Sequence, residues 1–331
     1  MDNRDFRYRS MFWPVILIGV GVIWLLSNLG LLPAASIAWL LNLWPLILIV
    51  IGIDLLFGRR SPVVGGLLGL IVVGAVIFAL AFAPALGLKL PNNAEVKVER
   101  FTAPLESATS ATVRVDSGSE PVEITANHSD LLFDGEIGHT GVINFQTSGS
   151  TDKVVSISKN DNPGNWIVGL ADQERLKWKI GLSSKVPLRL EMDSGSGSIN
   201  LNLDGLQLSG LALESGSGSV QMTLPAVNKA YEAAINSGSG SVNVKLPANT
   251  DLTLRTESGS GSLNIELPAG AAVRVEALDH GSGSINLPGL TKVSSGGDEK
   301  EGTWESQGYA GAAHKILIRL ENVGSGSVSI R

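Results

Sequence analysis

The sequence predicts a membrane α-helical anchor joined to an all-β domain, a single-stack β-solenoid of 21–22 residue coils with an irregular β cap. Three observations carry this expectation. Residues 11–88 hold almost no charge beyond Asp54, Arg59 and Arg60. The turn Ser-Gly-Ser-Gly-Ser begins at Ser194, Ser215, Ser237 and Ser258, and His-Gly-Ser-Gly-Ser begins at His280, so the spacings are 21, 22, 21 and 22. Each turn is flanked by segments in which apolar and polar residues alternate, the period of a strand with one buried face.

The expected layout is a basic cytoplasmic tail over residues 1–11, a transmembrane region of about three helices over 12–88, an irregular β cap region over 93–190, and solenoid repeats over 191–331 with an excursion at 294–313. Within the anchor, Phe12 to Leu32, Ile37 to Phe57 and Val63 to Leu86 each reach the roughly 20 residues needed to cross the hydrocarbon core. Trp13, Trp39 and Trp44 lie near the predicted ends, where amphipathic rings favour the interface. Arg4, Arg7 and Arg9 precede the first stretch and Arg59 and Arg60 follow the second, so the positive-inside rule puts the N-terminus in the cytoplasm. Three crossings then carry everything after Leu88 to the far side. Pro45 divides the second stretch, and a re-entrant second segment would invert that topology. Asp54 reads as a headgroup-level residue close to Arg59 and Arg60, and Gly65 and Gly69 make a GxxxG pair that lets helices approach closely.

The alternation after the turns runs Ile199-Leu201-Leu203, Val220-Met222-Leu224, Val242-Val244-Leu246, Leu263-Ile265-Leu267 and Ile285-Leu287. Before them come Leu188-Leu190-Met192, Leu211-Leu213, Tyr231-Ala233-Ile235 and Leu252-Leu254. Each unit is thus two short strands joined at a Ser/Gly corner, with a Leu-Pro break at the other end. A lone unit buries too few apolar side chains to offset its ordering, so units must stack. Stacking places Asn200, Gln221, Asn243, Asn264 and Asn286 in one column, a structural amide ladder at the strand spacing of ~4.8 Å. The last turn, from Val323, follows His280 by 43 residues. That is two periods and implies an intervening coil with a degenerate turn. Val273, Val275 and Ala277, like Ile316, Ile318 and Leu320, are displaced by one residue relative to their turns, which predicts bulges.

Composition excludes several functions. A net charge of -6 with no Lys/Arg cluster after residue 61 argues against nucleic acid. The absence of cysteine removes disulfides and thiolate chemistry. Asp116, Asp193, Glu214, Asn236, Glu257, Asp279 and Asn322 stand directly before the turns, and Ca²⁺ would relieve repulsion along such a column. The turns carry Ser where calcium-binding β-rolls carry Asp, so no metal is assigned. His128, His139, His280 and His314 lack ligand spacing, no Ser sits in a G-x-S-x-G elbow, and no carboxylate pair stands out. Trp166, Trp178 and Trp304 read as packing residues rather than sugar platforms. The sequence therefore assigns no catalytic, cofactor-binding or metal residue, and no cofactor.

The run Phe12-Trp13-Pro14, then Asn28-Leu29-Gly30-Leu31-Leu32, Leu43-Trp44-Pro45-Leu46 and Ile51-Gly52, resembles the LiaI/LiaF-like transmembrane region of bacterial envelope-stress proteins. Val186-Pro187-Leu188-Arg189-Leu190, with the Gly-Ser turns and Leu-Pro breaks that follow, resembles the adhesin-like β-strand-repeat domain called toastrack. The resemblance implies a role at the bacterial envelope in sensing or transmitting stress, or an adhesive surface, without agreed catalytic residues. The expectation is a non-enzymatic, multi-pass protein of the cell membrane presenting an extracytoplasmic β domain. The alternatives are a surface adhesin for glycans or cells and a cytoplasmic-facing regulator of a sensor kinase. The corresponding partners are membrane lipid, a membrane sensor kinase or other envelope protein, and a surface glycan, with no nucleic acid.

Overall fold

The computed structural model describes residues 12–28, 67, 69–76, 78, 96–160, 174–279, 281–297 and 300–331. The chain divides into two compact units, Met1–Glu95 and Val96–Arg331.

In the first unit, α1 (Phe12–Asn28) is an unbroken run of apolar helix formers with Pro14 in its first turn, where a missing N–H costs no helical bond. Leu17, Ile18, Val20 and Leu25 are each more than half exposed, the all-round apolar surface of a helix not built for a one-sided core. Residues 69–76 are also helical. Gly19 is buried, and a Cβ there would overlap the Val73 side chain. Among the described residues no helix is long and apolar enough to cross a membrane. The first predicted crossing is represented by the 17 residues of α1. The second, the ends of the third, Asp54, Gly65 and the arginines used to assign orientation lie outside the described residues.

The second unit is built of strands. β1 (Lys97–Pro104) leads to β2 (Ser110–Asp116) and β3 (Val122–Asn127), followed by β4 (Leu131–His139) and β5 (Val142–Ser148). Next come β6 (Asp152–Asn160), β7 (Trp178–Ser183), β8 (Leu188–Ser194), β9 (Ile199–Asn202), β10 (Leu208–Ser215) and β11 (Val220–Thr223). The chain continues through β12 (Tyr231–Ser237), β13 (Ser241–Lys245), β14 (Leu252–Ser258), β15 (Ser262–Glu266), β16 (Val273–Ala277) and β17 (Ser284–Asn286). β18 (Thr291–Ser295), β19 (Gly302–Glu305) and a 3-10 turn at Tyr309–Gly311 precede β20 (Ile316–Asn322) and β21 (Ser327–Ile330).

These strands form two sheets. One runs β1-β4-β7-β3-β9-β11-β13-β15-β21-β17, and the other runs β18-β19-β16-β20-β14-β12-β10-β8-β2-β6-β5. Each two-strand unit contributes its first strand to one sheet and its second to the other. The units in chain order are β2/β3, β6/β7, β8/β9, β10/β11, β12/β13, β14/β15, β16/β17 and β20/β21. From the third to the sixth, successive units pair parallel and in chain order. The expected alternation holds: Leu190, Leu201, Leu213, Val220, Ala233, Leu254 and Ile265 are buried in one continuous core between the sheets.

Both ends depart from chain order. The first unit lies between the second and the third, because β2 pairs with β6 and β8, and β3 with β7 and β9. Regular parallel pairing therefore reaches well upstream of residue 190. The antiparallel strands β1, β4 and β5 cover that end. The periodicity is hidden in the sequence there because β4 and β5 separate the first unit from the second.

At the other end the eighth unit lies between the sixth and the seventh: β20 pairs with β14 and β16, and β21 with β15 and β17. This overturns the expected coil with a degenerate turn. The 43-residue gap instead holds antiparallel β18 and β19 and the 3-10 turn. Charge favours the insertion, since neutral Asn322, not Asp279, lies beside Glu257. The predicted bulge of the last unit is present: Thr256 pairs with Leu320 but Glu257 with Asn322, leaving Glu321 as the extra residue. β16 runs in unbroken register with β20, so the seventh unit shares the displacement of the eighth rather than bulging against it.

Candidate functional site

The Ser/Gly turns stack on one another along one edge of the two sheets. Gly238 N–H donates to Ser215 O and Ser260 N–H to Gly238 O, each at 2.9 Å. Ser325 N–H continues to Gly259 O and Ser282 N–H to Gly324 O, also at 2.9 Å. The second glycine of each turn is set by close approach, since a Cβ at Gly240 would overlap the Gly218 carbonyl oxygen. Four turns, those of the fifth, sixth, eighth and seventh units, line an open groove of about 530 Å³ with Ser239, Ser241, Ser260, Ser262, Ser325 and Ser327 among its walls. Ser282 Oγ and Ser325 Oγ are 3.2 Å apart. Many of the turn amides are used in stacking, so serine hydroxyls dominate what the described lining offers, and Lys300 Nζ, donating to Gly283 O at 3.0 Å, sets one positive charge beside it. Such a surface suits a hydroxyl-rich ligand.

The first serine of each turn behaves differently. Ser117, Ser194, Ser215, Ser237 and Ser258 are buried in one column, and the hydroxyls of the first four have no hydrogen-bond partner. Val323 occupies this position in the eighth unit and is equally buried. These serines fill a small corner space instead of capping amides. The capping is done by the residue before them: Asp116 Oδ1 accepts from Gly118 N–H, Asp279 Oδ1 from Gly281 N–H and Asn322 Oδ1 from Gly324 N–H. Local capping thus accounts for members of the acidic column. Among the described residues no group of three or more His, Asp or Glu is placed to hold a metal ion.

The two outer faces differ in how densely they are charged, although the β13 sheet has pairs of its own, Lys177 with Glu123 at 2.6 Å and Lys245 with Glu266 at 3.9 Å. On the sheet containing β13, Glu123, Asn200, Gln221, Asn243 and Asn264 follow one another in register, with Ser329 interposed before Asn286. Asn264 Nδ2 donates to Asn243 Oδ1 at 3.0 Å, the predicted ladder in part. The opposite face is laced with ion pairs. Arg114 and Arg189 both donate to Glu191, at 2.7 and 2.8 Å, and hold its carboxyl below the usual range. Arg255 lies 2.9 Å from Glu232 and 3.4 Å from Glu321, and Arg274 pairs with Glu305, which raises the guanidinium pKa further. Burial pushes the Tyr231 hydroxyl upward, and it donates to Pro225 O at 3.0 Å.

The scattered candidates stay scattered. His128 contacts Ser184 at 3.0 Å, His139 is buried against Gly141 O, and His314 lies 3.5 Å from Asp251, while His280 and Trp166 fall outside the described residues. Trp178 is fully buried with Nε1 donating to Gly138 O, and Trp304 packs against the core beside Lys292. One buried pair had no signal in the sequence: Lys159 and Glu120, each side chain at least nine-tenths buried. Glu120 stands where later turns have their second glycine, so only the alignment of the first turn with the third exposes it.

Residues 92–245 match the model of the N-terminal domain of toast_rack, DUF2154, and residues 11–56 match that of the LiaI-LiaF-like transmembrane region. The chain carries both regions. Neither family is enzymatic in kind. No curated protein matches the chain. Among solved structures, a "putative cell adhesion protein" from Clostridium sporogenes ATCC 15579 is similar at 20% identity and a TM-score of 0.49, covering 71% of this chain and 99% of that one. The toast_rack match ends at Lys245, the last residue of β13. Of the four turns around the groove, only that of the fifth unit lies inside it.

Proposed function

We propose that this is a non-enzymatic protein of the bacterial cell membrane whose β domain forms one solenoid stack outside the cytoplasm and serves as an interaction surface in envelope-stress sensing or signalling. The observation that carries this reading is the polar row and turn edge of the stack. From the third unit to the eighth, amide or hydroxyl side chains repeat along that row and its turn edge, with one set of backbone bonds holding them in register. A rigid repeat of this kind presents many identical polar contacts, which favours an extended partner over a small substrate. The LiaI-LiaF-like region supports attachment to the membrane, and the arginines that flank it, Arg4, Arg7, Arg9, Arg59 and Arg60, support a multi-pass anchor with the β domain on the far side. The layout of tail, anchor, β cap and repeats follows from the same reading.

The test is protease accessibility of residues 93–331 in intact cells and in inside-out vesicles, with a tag after Arg331 as readout. Cleavage in intact cells is expected. Cleavage only in inverted vesicles would overturn the outside placement and favour a cytoplasmic regulator of a sensor kinase. A second reading, adhesion to glycans, is favoured by the hydroxyl-lined groove. It predicts retention of the purified protein on neutral polysaccharide, weakened by Ser260→Asp, which sets a charge into the groove.

A further inference from the structure

The eighth unit occupies a slot that its neighbours in sequence do not require. The turns of the sixth and seventh units start 22 residues apart, the same step that separates units stacked directly. Yet the two are held one strand spacing further apart by β20 and β21. The slot is a two-sided template. Ile316 pairs with Leu252 and Val273, Ile318 with Leu254 and Val275, and Leu320 with Thr256 and Ala277. In the other sheet Val328 pairs with Leu263 and Ile285. Ile316, Ile318, Leu320, Val328 and Ile330 are all buried within it.

From this geometry we infer that the slot between the sixth and seventh units accepts residues 315–331 of a second copy of this chain, so that molecules are joined by exchange of their C-terminal unit. An identical segment from another chain meets the same backbone donors, acceptors and core, and exchange requires no new contact. Closure of the empty slot, with Leu278 bulged as Glu321 is now, would set Glu257 against Asp279, which keeps an occupant preferred. The connection is long enough. With β19 still paired to β16, β18 to β19, and Ser306 still bonded to Val273 and Ala271, residues 307–315 reach roughly 30 Å when extended. Their 3-10 turn buries no residue. What holds this tether is a small latch: Asp251 Oδ1 accepts from Lys315 N–H at 2.8 Å, His314 lies 3.5 Å from Asp251, and Tyr309 stacks between Arg274 and Lys315. The occupant is a second copy because the slot is complementary to this chain's own end, and neighbouring molecules on one membrane supply it at high local concentration.

The cysteine-free sequence makes the test direct. Asn264 and Ser329 are register partners on adjacent parallel strands, a separation that a disulfide can span. Full-length protein carrying Asn264→Cys is mixed with full-length protein carrying Ser329→Cys and a different tag, then oxidised. A third variant, Ser150→Cys, exposed and distant in sequence, measures random collision with Ser329→Cys. The expected result is a cross-linked heterodimer at least tenfold above the Ser150 control, rising further when Asp251→Ala opens the latch. The double variant, Asn264→Cys with Ser329→Cys in one chain, closes an internal disulfide in monomers and reports that the slot is formed. Heterodimer no greater than the control in both backgrounds, while the double variant still closes internally, overturns exchange. Failure of the double variant to close would overturn the slot itself.

Discussion

The third to sixth units and the two ends of the β domain are made of the same two-strand element, yet they are assembled by different rules. In the middle, chain order and spatial order coincide, the connections are short, and each unit pairs with the one that follows it. At the ends the order reverses: the first unit sits inside the second and the eighth inside the seventh, with antiparallel pairing over both sheets at the first end and over one sheet at the other, where β17 is a parallel edge. A parallel stack has two exposed edges and tends to extend without limit. Units that fold back between earlier ones, together with β4, β5 and β19 running against the parallel direction, interrupt that growth from within the same chain. The middle therefore reads as a repeat, and the ends as its termination.

The largest break in this comparison comes from the turn edge of the middle. Gly240→Val places a branched side chain against the Gly218 carbonyl, and a stability loss of about 4 kcal/mol or more, or outright failure to fold, is expected in denaturant titration. The core of the middle comes next. Leu254 is fully buried, and Leu254→Ala should cost about 3 kcal/mol. Val98, on the edge strand β1 and 49% exposed, should lose no more than about 0.5 kcal/mol on truncation to Ala. Equal losses at the two sites would erase the distinction between repeat and cover.

A smaller and opposite effect is expected in the serine column. Ser237 is buried with an unpartnered hydroxyl, and the eighth unit already carries Val323 at this position. Ser237→Ala should leave stability unchanged or raise it by up to about 1 kcal/mol, because a desolvated hydroxyl is removed and no bond is lost. A clear loss in thermal unfolding would mean that the hydroxyl is satisfied in solution.

A modest, pH-dependent effect sharpens the junction between the first and third units. Glu191 on β8 accepts from Arg114 on β2 as well as from Arg189, so its folded pKa lies below that of the unfolded chain. Its contribution is present above about pH 4.3, the ordinary glutamate value, and is lost as pH falls through the depressed folded value. Glu191→Gln should cost no more than about 1 kcal/mol at neutral pH and flatten the acid end of the stability profile. An unchanged acid limb would show that the pairs across this junction are loose.

Much of the architecture was legible in the residues. Leu211-Leu213 and Tyr231-Ala233-Ile235 announce inward faces by period alone, and the distance of 21 or 22 residues from one Ser-Gly turn to the next, from Ser194 to His280, announces the stacking step. The column from Asn200 to Asn264 follows from that step, because equal spacing forces equal register. Ser329 between Asn264 and Asn286 does not, since it belongs to a unit that arrives from the end of the chain. The groove was legible only turn by turn for the same reason. Its four walls come from residues near 240, 261, 283 and 326, and chain order would have set the last beyond the third instead of between the second and third. Glu120 was hidden because its burial depends on Lys159, which reaches it from a neighbouring strand.

The sequence by itself determined the division into an apolar N-terminal region and a β domain, the two-strand unit, its step and its inward face. Those properties are local: hydrophobicity, period two and glycine corners act over a few residues, and each unit carries its own copy. Only the tertiary structure decided the order of the units, the insertion of the first and eighth between others, and therefore which turns share a groove. Every unit offers nearly the same edge to every other, so local pattern cannot rank the pairings. Long-range choices do, through charges such as Glu257 beside Asn322 and through the antiparallel pairings at the ends of the sheets.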